Sequence, residues 1–127
     1  MVSLQLLVAT VLSMAIGLNR EKRAKDAGMR THMLVGIGSC LFSALSLYVF
    51  PDDPARVAAN IVTGIGFLGA GVIYKGKNRV HDLTTAASVW ITAAIGMAVG
   101  LGAWFLGVVT TLIVWVILDI LRHVEKR

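Results

Sequence analysis

Five long apolar runs, separated by short segments that hold most of the charge, limit the fold of this chain more than any other feature. The run from Val57 to Tyr74 contains no charged side chain. A helix that rises about 1.5 Å per residue needs about 20 such residues to cross a hydrocarbon core roughly 30 Å thick. Hydrophobic residues make up 57% of the chain, more than a soluble domain of 127 residues could bury. The sequence predicts an all-α integral membrane protein.

We expect a single transmembrane domain over residues 1–127, with five transmembrane helices. The last two apolar runs form one stretch without Lys, Arg or Glu from Leu83 to Leu118. This stretch is too long for one ordinary crossing, so a tight turn is predicted at Gly100–Gly102. A single long, bent fourth helix is the alternative. The predicted helices cover about 2–18, 32–50, 57–74, 83–100 and 102–121.

The basic residues predict the orientation of the bundle. With five crossings, the segments after the first and third helices and the C-terminal tail lie on one side, and they hold every Lys and Arg except Arg56. Positive loops stay in the cytoplasm, so the N-terminus is predicted outside and the C-terminus inside. Basic residues confined to such loops also argue against nucleic-acid binding, despite the net charge of +5. The expected surroundings are a lipid bilayer.

Small residues predict a tightly packed, Gly/Ala-rich bundle. Helices in lipid pack through van der Waals contact, which small residues promote. The spelling G-x-G-x-x-G at 64–69 lies within a predicted membrane helix and lacks the strand of a dinucleotide site, so we interpret it as packing. These residues either close a compact monomer or join a homo-oligomer, for which a dimer is expected. The candidate packing glycines are Gly64, Gly66, Gly69, Gly71, Gly96 and Gly100.

Polar residues at the outer end of the third helix form one candidate site. Asp53 is expected to cap this helix, and Arg56 and Asn60 share one helical face because they are four residues apart. One interpretation is an Arg that extends to the lipid headgroups and an Asn that bonds a neighbouring helix. The other is an external pocket that binds a cation through Asp52, Asp53 and Asn60. Oxygen ligands suit Mg²⁺, but this spacing does not support a dedicated metal site, and no cofactor is predicted.

A second group of polar residues lies at the predicted inner ends of three helices. The topology brings together the end of the first helix and the starts of the second and fourth. We expect a charged network of Arg20, Glu21, Arg30 and Asp82 there, with either a functional role or the role of fixing the loops. The candidates are Arg20, Glu21, Arg30, Thr31, Asp82, Thr84 and Thr85.

The remaining reactive residues do not suggest catalysis. His32, His81 and His123 lack metal-ligand spacing, and Cys40 is interpreted as a small packing residue. The sequence contains no pattern of a nucleophile and its base, so the protein is not expected to be an enzyme.

Four stretches of sequence together resemble the MgtC/SapB family of bacterial inner-membrane proteins, over nearly the whole chain. The matching spellings are GLNRE at 17–21, AGMRTH at 27–32, DPARVAANIVTGIGFLGAGVI at 53–73 and LTTAASVWITAAIG at 83–96. They contain every candidate polar residue named above except Asp52 and Asp82.

The resemblance implies a hydrophobic domain of several helices in the bacterial inner membrane and a link to growth in low magnesium. In the virulence-associated branch it also implies survival inside macrophages and inhibition of the ATP synthase. That branch has a soluble domain after the membrane part, which is not expected in a chain that stops at Arg127. It also carries Asn where this chain has Thr84, so the LTTAA spelling is similar to the SapB/YhiD-type branch.

The expected function is therefore that of a small non-enzymatic membrane protein. It would modulate magnesium homeostasis or another membrane complex through helix–helix contacts. The alternative is a small ion transporter or channel subunit, whose two polar mouths would be Arg56 with Asn60 and Arg20 with Glu21 and Asp82.

Overall fold

A computed structural model describes residues 2–22, 27–75, 80–81 and 83–125, and these ranges contain five helices. They are α1 (Val2–Lys22), α2 (Met29–Val49), α3 (Pro54–Val72), α4 (Leu83–Gly100) and α5 (Trp104–Glu125). The prediction of five helices is confirmed. Between α3 and α4, two strands that were not predicted, β1 (Tyr74–Lys75) and β2 (Val80–His81), pair in antiparallel fashion, Tyr74 with His81 and Lys75 with Val80. Between these strands the sequence predicts a turn around Gly76, and that segment lies outside the described residues.

The helix ends differ from the predicted ones because charged and polar residues do not by themselves end a helix. The first helix continues past Leu18 to Lys22, and basic residues in its last turn interact favourably with the helix dipole. The third begins at Pro54, in the first turn, where the missing N–H of proline has no helical partner to lose. The last begins at Trp104 and continues to Glu125.

Three of the helices are long and apolar enough to cross a membrane. By length and composition they are α1 from Ser3 to Lys22, α2 and α4. A shorter apolar stretch, Trp104–Ile120, lies in α5, and α3 is not among the three within the residues searched. This is the composition of a helical membrane protein. Crossing by α3 and α5, and the orientation of the bundle, stay predictions.

The fourth helix is the centre of the bundle, because α4 contacts each of the other four helices. With α1 and α2 it forms a tightly packed trio, against which α3 packs on one side and α5 on another. The core joins α1, α4 and α5 through Ile16, Ile95 and Leu118. It joins α2 to α4 through Val35 and Val89.

Two glycines of α4 bring its backbone against the backbone of α2. A Cβ placed on Gly96 would contact the carbonyl oxygen of Gly36 and would lie 3.1 and 3.2 Å from the carbonyl carbon and Cα of that residue. A Cβ on Gly100 would contact the carbonyl oxygen of Cys40 and lie 2.9 Å from Cβ of Ser43. Neither position has room for a side chain, so the two helices approach as closely as glycine allows.

The glycines of α3 have different surroundings. A Cβ on Gly64, Gly66 or Gly71 would meet no atom within 4 Å, and one on Gly69 would be in ordinary contact with Ala86. Gly64, Gly66 and Gly71 therefore make no close packing contact within the described chain. The other interpretation, in which they join two copies, stays a prediction. At these three positions α3 has open space beside it, and Gly64 lines a groove between α2 and α3.

A tight turn separates α4 from α5, so the alternative of one long bent helix is wrong. Gly102 has a φ of 93°, in the left-handed region that favours glycine. The N–H of Ala103 donates to the carbonyl of Ala98 at 2.7 Å, and that of Gly102 donates to the carbonyl of Val99 at 3.0 Å. These two bonds and the left-handed glycine make a Schellman motif, which satisfies carbonyls left without partners at the helix end.

The first helix also caps the end of α4. The side-chain amide of Gln5 donates to the carbonyl of Val99 at 2.9 Å and lies 3.3 Å from the carbonyl of Gly100. These carbonyls belong to the last turn of α4, whose oxygens have few helical donors. Gln5 of α1 therefore supplies a hydrogen-bond donor to the C-terminal turn of α4.

Candidate functional site

A buried group of polar side chains lies where α1 ends and where α2 and α4 begin. We call Arg20, His32, Thr85 and Ser88 the polar cluster. The guanidinium Nη2 of Arg20 donates to the hydroxyl Oγ of Thr85 at 3.1 Å. Both side chains are almost fully buried, with 3% and 1% of their surfaces exposed. A buried Arg is costly unless its charge is compensated, so its place at the C-terminal end of α1, where the helix dipole is negative, is favourable.

Glu21, the next residue, connects α1 to the start of α2. Its carboxylate Oε1 accepts a hydrogen bond from the backbone N–H of Met29 at 2.9 Å. Met29 is the first residue of α2, whose first N–H groups have no helical acceptor. An anion at this position also interacts favourably with the helix dipole. Gly28 permits the approach, because a Cβ there would collide with the same carboxylate.

His32 links α2 to α4 from a fully buried position. Its Nδ1 lies 2.8 Å from the carbonyl of Gly28, and its Nε2 lies 2.9 Å from the hydroxyl of Ser88. Because a carbonyl oxygen only accepts hydrogen bonds, Nδ1 must carry a proton. In the neutral ring Nε2 is then an acceptor and requires the hydroxyl hydrogen of Ser88.

The Ser88 hydroxyl has a competing acceptor. Its oxygen lies 2.7 Å from the backbone carbonyl of Thr85, one turn earlier in α4. A hydroxyl has one hydrogen, so Ser88 donates either to His32 or to this carbonyl. In the second arrangement the hydrogen bond to His32 requires a proton on Nε2 as well, which makes the ring a cation close to Arg20. The first arrangement, with a neutral ring, is favoured, because a second proton would place a cation in a fully buried position near Arg20.

The structure brings together only some of the residues predicted at this end. Arg20 contacts Thr85, and Glu21 bonds the backbone of α2. Arg30, Thr31 and Thr84 are exposed. Within the described part of the chain, no ion pair joins Glu21 to Arg30, because the carboxylate is directed at a helix start. Asp82, the fourth member of the predicted charged network, lies outside the described residues.

At the start of α3, Asp53 and Arg56 form an exposed ion pair. The Oδ2 of Asp53 lies 3.5 Å from Nε of Arg56, and the two side chains are 58% and 80% exposed. Solvent screens such a pair, so it adds little stability. Asp53 occupies the N-cap of α3, but its side chain makes no capping hydrogen bond, so the predicted side-chain cap is absent. Asn60 is also exposed and lines a groove between α2 and α3.

His32 and Ser88 belong to the polar cluster but are not among the candidate residues predicted from the sequence. A relevant pattern was present, because Thr85, Ser88 and Thr92 recur at intervals of three and four residues and so share one face of α4. All three are buried. His32 lacks metal-ligand spacing, but it ends one of the motifs that carry the family resemblance. Cys40 is a buried free thiol, and among the described residues no three His, Cys, Asp or Glu side chains come together as a metal site.

Comparisons with known proteins agree on one family. The model of the MgtC family matches residues 6–127. The Escherichia coli (strain K12) protein named "Putative magnesium transporter YhiD" is 41% identical over 133 residues, which cover 98% of this chain and 62% of that protein. Protein MgtC of Salmonella typhimurium (strain LT2) is 43% identical over 124 residues, covering 98% of this chain and 54% of that protein. Protein SrpB of Synechococcus elongatus is 37% identical over 139 residues, covering 98% and 76%.

The chain thus spans somewhat more than half the length of the YhiD and MgtC proteins. No solved structure shows significant similarity to it.

Proposed function

Because the chain belongs to the MgtC family, we propose that it is a small, non-enzymatic protein of the bacterial inner membrane that supports magnesium homeostasis by acting on another membrane protein. The link to magnesium comes from the name of the YhiD relative. In this proposal all five helices cross the bilayer, with the N-terminus outside and the basic segments in the cytoplasm.

The observation that carries the proposal is the closed packing of α1, α2 and α4. A permeation path needs space between helices, and this trio leaves little. The backbones of α2 and α4 are in contact at Gly36 with Gly96 and, one turn further on, at Cys40 with Gly100. On the other side of α2, a Cβ on Gly36 would collide with the hydroxyl of Ser13 of α1. Such packing favours a rigid body that presents its outer faces to partners.

The outer faces of α3 and α5 are suited to contacts within the membrane. Phe67 of α3 is 81% exposed, and Phe105 of α5 is 79% exposed. Beside Phe67, Gly71 leaves space for a neighbouring helix, since a Cβ there would touch nothing. Association of helices in lipid relies on shape and on small residues at the contact, which this face offers. Pairing of two copies through these faces stays a prediction.

In this function the polar cluster holds the ends of three helices in register. The Arg20–Thr85 hydrogen bond joins α1 to α4, and Glu21 joins α1 to the start of α2. The bond between His32 and Ser88 completes the connection between α2 and α4. A partner that contacts this end would meet three helix ends that are joined to one another by these bonds.

The alternative, an ion transporter or channel subunit, is favoured by the line of buried hydroxyls on α4. Thr85, Ser88 and Thr92 continue inward from Arg20. Transport sites within membranes commonly contain an ionisable carboxylate as well as hydroxyls. The interiors of α1, α2 and α4, as far as they are described, contain no carboxylate, which argues against this alternative. This difference makes the alternative the second choice.

Flux measurements in liposomes that contain only this protein separate the two functions. Mg²⁺, K⁺ and protons are tested separately, with Glu21→Ala as the control for the polar end and with folding verified by circular dichroism. We expect no flux above that of empty liposomes. Mg²⁺ flux that disappears in Glu21→Ala would establish the transporter instead.

A second measurement tests the partner. In a bacterium lacking its own copy, the chain should restore growth in low magnesium, and crosslinking in native membranes should capture another membrane protein. Growth and capture should both be lost when Phe67 is replaced by Lys, but kept when Phe67 is replaced by Leu. Repeated capture of the chain alone would contradict the proposal.

A further inference from the structure

A groove between α2 and α3 has the dimensions of a binding site. Its volume is about 610 Å³, within the range of small-molecule sites in proteins. Its walls carry large apolar side chains, among them Leu34, Phe42 and Leu68, and each of these three exposes more than half of its surface. Gly38 and Gly64 also line the groove, and a Cβ on either would meet no atom within 4 Å. The space is therefore accessible from the side of the bundle.

Most of the residues that line the groove are apolar. Its two polar lining residues are Ser39 and Asn60. The hydroxyl of Ser39 already donates to the carbonyl of Ala93 at 2.6 Å. Asn60 makes no side-chain hydrogen bond to any described residue and is exposed. In a bilayer such an amide has no water to bond, so it requires a polar group from outside the chain.

A charged pair lies one turn beyond Asn60, toward the start of α3. Arg56 is four residues before Asn60, so it lies on the same helical face, displaced by about 6 Å along the axis. It is paired with Asp53, and both side chains are exposed. From the helix start inward, this face offers a cation beside an anion, then an amide, then an apolar groove.

We propose that the α2–α3 groove binds one glycerophospholipid with a zwitterionic headgroup, such as phosphatidylethanolamine. The phosphate of the headgroup lies against Arg56 and its ammonium against Asp53. The amide N–H₂ of Asn60 donates to an ester carbonyl of the lipid, and one acyl chain lies along the groove past Gly64 and Phe42. The order of polar and apolar groups in the lipid is the same as the order along α3.

The shape of the surface favours a lipid over a second copy of the chain. In a two-fold symmetric dimer the same surface of both copies is in contact, so a groove would face a groove and leave a void. An acyl chain is narrow enough to fill the groove by itself. A glycerophospholipid also supplies both the acceptor that Asn60 lacks and the charges that complement Asp53 and Arg56.

The proposal rests on the crossing of the bilayer by α3 proposed above, but not on the magnesium function, because lipid binding is measured on the purified protein without magnesium. The probe is dioleoylphosphatidylethanolamine added in mild detergent, and bound lipid is counted by native mass spectrometry. Gly64→Leu fills the groove, whereas Gly66→Leu places the same side chain at another open position of α3 outside the groove. The two variants are matched, since neither introduces a collision at its Cβ.

We expect one bound lipid on the parent protein, no more than traces on Gly64→Leu, and unchanged binding to Gly66→Leu. Asn60→Leu, which loses one hydrogen bond, should bind about three- to tenfold more weakly. Equal binding by Gly64→Leu and Gly66→Leu would overturn the proposal, because it would show only general association with the protein surface.

Crosslinking tests the other occupant. In a Cys40→Ser background, Leu68→Cys places a thiol in the groove and keeps Asp53, Arg56 and Asn60, and it should remain uncrosslinked between copies when a short bifunctional thiol reagent is added. Efficient crosslinking that is lost on adding Gly64→Leu would assign the groove to a second copy and overturn the lipid site.

Discussion

Replacing Gly96 by alanine should weaken the contact between α2 and α4. The added Cβ would point at the backbone of Gly36, touching its carbonyl oxygen and lying 3.1 and 3.2 Å from its carbonyl carbon and Cα. Contacts of carbon atoms are favourable at about 3.5 to 4.0 Å, so the two helices must separate by several tenths of an ångström or more. No flexible side chain can move aside, because the atoms in contact all belong to the backbone.

The expected loss can be worked out from this geometry. Overpacking of a close-packed interior costs about 1 to 3 kcal/mol, and alanine recovers about 1 kcal/mol of helix propensity relative to glycine. Separation of the helices would also loosen the neighbouring contact of Gly100 with Cys40, one turn away. The difference between these two terms is a net loss of about 0 to 2 kcal/mol, and the loosened second contact places the loss expected for Gly96→Ala at its upper end, about 2 kcal/mol of the free energy of unfolding.

Unfolding in mixed micelles of mild detergent and dodecyl sulfate, followed by circular dichroism, measures this change. Gly64→Ala is the matched control, because its Cβ would meet nothing, and its stability should be unchanged or slightly increased. If the two alanine variants unfold at the same detergent composition, the backbone contact between α2 and α4 does not limit stability and the reasoning is refuted.

Three further variants test individual contacts by the same unfolding measurement. Thr85→Val removes the hydroxyl that accepts from the buried Arg20 and should lower stability by about 1 to 3 kcal/mol, whereas Thr85→Ser should retain most of it. Gly102→Val forces a branched residue to a φ of 93° and should cost about 1 to 2 kcal/mol, with no loss expected at the open Gly66→Ala. Gln5→Leu removes the donor to the end of α4 and should cost about 1 kcal/mol; an unchanged midpoint would show that the amide is not needed there.

Much of the fold was accessible from the sequence because apolar length and turn chemistry are local properties. The five runs gave five helices, and the glycines at 100–102 marked a turn that requires a left-handed residue at Gly102. The close packing of α4 on α2 also follows from small residues at intervals of four, at Gly96 and Gly100 opposite Gly36 and Cys40.

The sequence did not reveal which helix is central, because that depends on contacts between distant segments. The glycine-rich α3 had the most conspicuous pattern, yet Gly64, Gly66 and Gly71 meet no atom of the described chain. The less conspicuous α4 contacts every other helix.

The candidate site was predicted in part for the same reason. Motif positions located Arg20 and Thr85, but the partner of each depended on tertiary packing. Glu21 looked like a member of an ion-pair network and instead bonds the start of α2, since the free N–H of Met29 is within reach. The contact of His32 depends on the packing of α4 against α2, which brings the hydroxyl of Ser88 beside its ring.

The bond from Gln5 to the end of α4 joins residues 94 positions apart, so it can form during synthesis only after α4 has been translated. During synthesis α1 and α2 leave the ribosome first and can pair immediately, because they are neighbours in sequence and in space. The surface of α2 at Gly36 and Cys40 remains uncovered until Gly96 and Gly100 of α4 have been translated and pack against it. We expect an incomplete chain that lacks α4 to expose this side to membrane proteases, and the arrival of α4 to be the step that ends its susceptibility.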